Sequence, residues 1–277
     1  MTVEKKRIYI LVKTYPTISK RYGELVCTAG VLEDGSWIRL YPVPYRMLDD
    51  EQKYPKYTWI EVETVRNAKD FRPESHRPSI DTMIVEPKPS RVNWNERRKI
   101  VFKNQTVYTN MQKLIVKAKS DNTSLALFRP TKILDFKIES DNPNWDPKKL
   151  ASLRDQSLQY NLFKSEEEIK KELDVVVQKI PYKFSYIFED EEGKKSSLKI
   201  EDWEIGMLYL NCLKGSHGNK KIALAKVREQ YYEKFLNKDL YFFLGTTLKY
   251  HKISRNPFII VGIFYPPKLS KDWQLSY

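Results

Sequence analysis

The sequence predicts an α+β protein: a β-rich first half forming a small barrel-like sheet, followed by a mixed α+β second half. Two observations carry this. Before residue 93 the apolar residues fall in strand-length runs separated by turn formers, and the chain holds 18 tyrosines and 6 tryptophans against only 9 glycines. Helical spacing enters later, first over 93–119 and most clearly after Asp202.

Residues 7–12 form a first short strand, and 16–21 make a polar, basic connection. Runs 24–32 and 37–41 flank Glu33-Asp34-Gly35-Ser36, and Asp-Gly between two such runs predicts a hairpin because it suits the positive φ angles of a tight turn. In the second strand Trp37, Arg39 and Tyr41 share one face and Ile38 and Leu40 the other. This predicts an aromatic–arginine–aromatic row displayed over a buried apolar row. Pro42 and Pro44 end the ladder, since proline has no N–H to donate.

Residues 57–65 read as another strand, followed by an arginine- and proline-rich segment ending near Pro78. Residues 82–85 are a short strand closed by Pro87 and Pro89, and 93–119 is mainly helical with an interruption at 106–108. Short strands follow at Leu125–Phe128 and 133–138. The turn-forming run 140–147 suggests a boundary. The expected division is a basic β-rich domain over 1–140, a connecting segment over 141–164 and an α+β domain over 165–277. Ser165 before three glutamates reads as a helix N-cap, 182–188 and 197–200 as a hairpin, 202–214 and 221–237 as helices, and 240–244 and Phe258–Phe264 as buried strands. The first half is expected to resemble oligonucleotide-binding or PUA-like barrels in architecture, which is a weak warrant for function.

A formal net charge of +13 favours a polyanionic partner. Arginine offers a planar fork of donors to phosphates and base edges, and aromatic rings offer faces for stacking. Both residue types concentrate between 37 and 77, in Trp37, Arg39, Tyr41, Tyr45, Arg46, Arg66, Arg72 and Arg77, and the basic stretch that follows adds Arg97 and Arg98. These ten residues are the candidate nucleic-acid contacts, for DNA or RNA. The competing structural reading pairs Arg66, Arg72 and Arg77 with Asp70 and Glu74, and places the Trp37 strand inside a folded barrel with a cation–π pair.

No residue set identifies a catalytic reaction. His76, His217 and His251 are isolated, and Cys27 and Cys212 lie far apart, so neither a zinc site nor a disulfide framework is expected, and no cofactor. The nearest nuclease-like pattern is Asp81 with Glu86-Pro87-Lys88, where two acids would hold a metal and the lysine would steady the nucleophile. Pro87 disrupts the strand such a motif prefers. The leading expectation is a non-catalytic accessory subunit in genome maintenance, defence or mobile-element biology. Its alternatives are a metal-dependent nuclease and an adaptor that docks an acidic protein. The apolar runs are strand-sized, so no membrane span or signal peptide is expected, and the reduced cysteines fit a cytoplasmic protein.

The blocks Lys13-Thr14-Tyr15-Pro16, Cys27-Thr28-Ala29-Gly30, Trp37 to Arg46, Arg72-Pro73-Glu74-Ser75 and Gly262-Ile263-Phe264-Tyr265-Pro266-Pro267 resemble those of an uncharacterised prokaryotic protein family. The resemblance spans most of the chain. It implies one evolutionary unit and no particular reaction.

Overall fold

β1 (Val3–Lys13) divides its side chains between two cores, as the period of two in a strand requires. Ile8 and Ile10 enter one apolar cluster, while Tyr9 and Leu11 enter another on the opposite face. In this computed structural model, which describes residues 2–19, 23–87, 93–148, 150–151 and 177–268, the first cluster is the inside of a closed barrel. Its staves are β1, β3 (Gly23–Leu32), β4 (Trp37–Val43), β6 (Ser75–Pro78) and β5 (Trp59–Arg66), with β5 returning to β1. The short strand β2 (Thr17–Ser19) pairs with β3 off this ring, and β7 (Ile84–Val85) with β5. The closing pair, β4 with β6, is parallel; the other ring pairings are antiparallel. The ring order first–second–third–fifth–fourth is a Greek-key barrel connectivity of the oligonucleotide-binding kind.

The Asp34-Gly35 hairpin forms as the sequence predicts. Gly35 takes φ +88°, and an added Cβ there would lie 2.0 Å from the Lys103 carbonyl oxygen. β6 is the element the sequence reading left as an irregular segment. Only Arg39–Ser75 and Leu40–His76 register it on β4, and its closing proline gives no strand signal.

The second half supplies two further sheets. One runs β14 (Phe258–Phe264), β13 (Tyr241–Thr246), β9 (Leu125–Phe128), β8 (Val107–Tyr108); the other runs β10 (Lys132–Ser140), β11 (Tyr182–Glu189), β12 (Lys195–Lys199). Helices α1 (Trp94–Phe102) and α2 (Met111–Asp121) flank β8, matching the predicted interruption. Helix α3 (Trp203–Gly215) is capped by Asp202, and α4 (Lys220–Arg228) by Asn219. Sheet pairing runs across the boundary drawn at 141–164: β9 bonds to β13, and β10 to β11. The predicted helix start at Ser165 lies outside the described residues. Among the described residues no helix is long and apolar enough to cross a membrane.

The β13–β14 sheet is the middle layer. Its one face presents Phe242, Leu244 and Ile260 to the helices and the β10–β12 sheet, and its other presents Phe243, Val261 and Phe264 to the outer wall of the barrel. A second junction joins β1 to α3. The Tyr15 amide donates to the Glu201 carbonyl at 3.0 Å, and the buried Lys56 ammonium bonds the Asp202 carboxylate at 2.7 Å. The Tyr15 ring lies on Gly206, where a Cβ would sit 2.3 Å from ring carbon Cδ2. Gly206→Ala is therefore expected to destabilise the protein by about 1–3 kcal/mol through overpacking. Urea unfolding checks this. Unchanged stability would mean that the ring is not held against the helix.

Candidate nucleic-acid interface

Trp37, Arg39 and Tyr41 do share the outer face of β4, above Ile38 and Leu40 in the barrel core. The expected display of that row is corrected for Trp37 and Arg39, which the middle sheet meets, while Tyr41 is half-buried beside a cavity. Trp37 meets Phe243 edge-on at 5.9 Å. Arg39 is only 3% exposed. Its Nη2 donates to the Ser124 carbonyl (3.1 Å) and hydroxyl (2.9 Å), and its Nη1 donates to the Thr246 carbonyl (3.4 Å) and Cys27 Sγ (3.5 Å). Glu74 Oε1 stands 3.7 Å from Nη2 and accepts the Ser124 hydroxyl.

Arg72 is buried beside it. Its Nε and Nη2 grip Asp70 at 2.9 and 2.6 Å, and its Nη1 donates to the same Thr246 carbonyl at 2.6 Å. Burial alone would raise the Asp70 pKa, but the Arg72 fork outweighs it and holds the carboxyl down to about 2. Among the described residues Arg66 donates only to backbone carbonyls, those of Asn67, Ser75 and Asp70. The arginines thus fix the 66–75 loop, and two of them clamp one carbonyl of β13. Of the expected pairing of Arg66, Arg72 and Arg77 with Asp70 and Glu74, the Arg72–Asp70 pair forms, while Glu74 stands beside Arg39 instead.

Where this clamp meets the middle sheet the surface opens into a cavity of ≈ 450 Å³. Cys27, Arg39, Tyr41, Pro42 and Arg77 line it from the barrel, Asn67, Lys69, Asp70 and Arg72 from the loop, and Thr246, Thr247, Leu248, Ile259 and Val261 from the sheet. Arg77 Nε is buried without a hydrogen-bond partner, as is Arg39 Nε. Arg77 forms no side-chain ion pair among the described residues.

Part of the cavity's rim comes from the connection between β13 and β14, residues 247–257, of which Thr247 and Leu248 line the cavity. It is held by His251, fully buried, whose Nε2–H donates to the Ala118 carbonyl at 2.8 Å while Nδ1 accepts from the Thr246 hydroxyl at 2.7 Å. Both ring nitrogens are committed in the neutral form, and burial pushes the pKa of the ring below its ordinary value. With that anchor inside, most of the loop from 247 to 255 faces out. Lys249, Lys252 and Arg255 are exposed, as are Leu248, Tyr250 and Ile253, the last at 73%. Across the rim, exposed Phe71 packs on His251 at 5.2 Å and carries the Lys252 ammonium 5.4 Å above its ring. No acid occurs between 247 and 257.

Comparison with family models gives two matches. A model described as a domain of unknown function (DUF8758) matches residues 4–103, and one described as a domain of unknown function (DUF8757) matches residues 107–276, more than half of the chain. The chain belongs to the DUF8757 family. The comparison with curated proteins finds no match. The cavity is built from both matched regions: Arg39, Tyr41 and Arg77 lie in the first, while Thr246, Leu248, Val261 and the whole basic rim lie in the DUF8757 region.

Outside that cavity the remaining predicted contacts are scattered and engaged. Tyr45 is buried; its hydroxyl donates to the Tyr54 carbonyl at 2.8 Å and its ring receives the Lys13 ammonium at 4.0 Å. Arg46 bonds Glu24 at 2.8 Å. On α1, Arg97 lies over Tyr57 at 4.1 Å, and Arg98 joins Asp239 and the Pro267 carbonyl in the DUF8757 region. Trp37 and Glu74 line a separate hollow. Of the nuclease-like set, Glu86 is clamped by Arg7 through both oxygens (2.6 and 2.9 Å), Asp81 lies in an exposed helical turn, and Lys88 lies outside the described residues. Among the described residues no three His, Cys, Asp or Glu side chains gather as a metal site. Residues 248–255 carry no strand or helix signal because they connect two strands. Their signal is Lys-Tyr-His-Lys-Ile-Ser-Arg, three cations interleaved with rings and no acid.

Proposed function

We propose that this protein binds nucleic acid, with an unpaired stretch of strand lying across the rim of the cavity. The observation that carries the reading is the exposed run of Lys249, Lys252 and Arg255 with Leu248, Tyr250 and Ile253 in the connection that reaches the cavity through Thr247 and Leu248, joined by exposed Lys69 in the cavity lining and by Phe71 under the Lys252 ammonium. Cations along such a rim track phosphates, and exposed rings stack on bases freed from a duplex. The net charge of +13 supports the same partner at long range. Binding and delivery, with no reaction of its own, is the role proposed, as an accessory subunit acting inside the cell.

The test is fluorescence anisotropy of labelled single-stranded DNA and RNA across a salt series. Affinity is expected to fall more than about tenfold between about 50 and about 200 mM salt, because each phosphate contact releases counterions. Absent or salt-independent binding would overturn the proposal. Competition by polyglutamate as effective as that by oligonucleotide would favour an acidic protein partner instead.

A further inference from the structure

We infer that the separate hollow lined by Trp37 and Glu74 is a site for an organic cation, a guanidinium or primary ammonium group, held by the Glu74 carboxylate and the rings of Trp37 and Tyr108. This goes beyond the nucleic-acid reading and does not depend on it. The hollow measures ≈ 390 Å³, within the range of small-ligand sites, about 300–1,000 Å³. It lies on the seam of the molecule: Trp37 and Glu74 come from the barrel side, Tyr108 and Ser124 from the second half.

In a chain of net charge +13, the charge of this lining runs the other way. Among the described residues no lysine, arginine or histidine lines the hollow, and Glu74 is its one acid. Glu74 lines this hollow and not the larger cavity. Its side chain is 7% exposed, and its main-chain carbonyl already accepts the Arg39 amide at 2.8 Å. Oε1 accepts the Ser124 hydroxyl and stands 3.7 Å from Arg39 Nη2. Oε2 has no partner among the described residues and is not sealed from solvent, so it is the group that Glu74 has left to offer the hollow. A largely buried carboxylate oxygen without a donor costs free energy, and a charged donor satisfies it best. The same chain shows such a carboxylate filled on both sides: Asp239 gives Oδ2 to Arg98 at 3.2 Å and Oδ1 to Arg129 at 3.1 Å. Glu74 has Arg39 on one side only. The neighbours add further acceptors. The amide nitrogens of Asn104 and Gln105 donate to the Asp34 and Gly35 carbonyls, which leaves Asn104 Oδ1 and Gln105 Oε1 without a partner among the described residues. Trp37 and Tyr108, both half-buried, supply rings whose faces attract a cation. An anion is repelled by this lining, and a neutral ligand gains from neither the charge nor the rings.

The experiment is calorimetric titration of the full chain with butylguanidinium and butylammonium, set against butylurea as a neutral isostere and butyrate as an anion. Both cations are expected to bind at least about tenfold more tightly than butylurea and to raise the Tm, and butyrate is not expected to bind. Glu74→Gln keeps the shape and removes the charge, so it should erase the preference for butylguanidinium over butylurea. Because Glu74 also faces the buried Arg39, a second variant leaves that pair intact. Thr106 is exposed and lines the hollow, so Thr106→Lys adds a competing ammonium there; it should abolish cation binding with the Tm of the unliganded protein unchanged. Tyr108→Leu should weaken both cations, a loss that attraction to Glu74 alone would not produce. The inference is overturned if butylurea binds as well as the cations, if butyrate binds equally, or if T106K takes the cations as the parent does. Spermidine and a blocked peptide with one arginine then separate the sources of such a group. Tighter binding of spermidine would assign the site to a free polyamine, tighter binding of the peptide to the side chain of a protein partner, and binding of neither would also overturn the inference.

Discussion

Arg39→Ala is expected to lower the stability of the folded protein by about 3–5 kcal/mol and its Tm by about 10 °C. The guanidinium is only 3% exposed and is held by buried acceptors. Its removal leaves Glu74 as an uncompensated buried carboxylate and strips donors from the Ser124 carbonyl and hydroxyl and from the Thr246 carbonyl. The damage extends to the seam, because those acceptors belong to β13 and to the turn before β9, while the arginine belongs to the barrel. Arg39→Lys should recover part of the loss, since one ammonium cannot serve Ser124 and Thr246 with the geometry of a planar fork. Thermal unfolding of the three proteins decides this. Measured well below its Tm, the alanine variant should keep the salt slope of strand binding. An unchanged Tm with lost binding would return Arg39 to an exposed binding row.

That expectation reverses what the strand pattern alone suggests, and the reason is tertiary. Alternation places Trp37, Arg39 and Tyr41 on one face of β4, and the structure keeps them there. What lies over that face is a sheet whose contacts come from 85 and 207 residues further along the chain. No local period reports them. The Asp34-Gly35 hairpin, the interruption between α1 and α2, and the strands at Leu125–Phe128 and Phe258–Phe264 were legible because turn chemistry and hydrophobic runs act locally. β6 was not, because a four-residue strand that ends in proline has almost no pattern to read. The site divides in the same way. The arginines were legible as a set, but which of them pair inward was not, since that depends on Asp70, Glu74 and the carbonyl of Thr246 arriving together. The basic rim was visible in composition and hidden by its position between two buried strands.

Removing the rim cations is the second large expected effect. Lys249, Lys252 and Arg255 project from a loop whose own fold depends on the buried His251 and on backbone bonds such as His251 N to the Thr247 carbonyl (3.0 Å). Replacing all three with alanine should leave the stability within about 0.5 kcal/mol per site, as is usual for exposed positions. Affinity for single strands should fall roughly 10–100-fold at about 100 mM salt, because three phosphate contacts are lost together. A control variant at Lys137 and Lys183, on the β10–β11 sheet, removes two charges without touching the rim and should bind nearly as the parent does.

The slope of log affinity against log salt, compared between the parent and the Lys249→Ala/Lys252→Ala/Arg255→Ala variant, tests most directly whether the rim holds the strand. Each phosphate contact on a single strand contributes about 0.7 to that slope. The rim reading predicts a slope shallower by about 2 in the triple variant and unchanged in the Lys137/Lys183 variant. Equal slopes in the parent and the triple variant, or an equal loss in the Lys137/Lys183 variant, would contradict it.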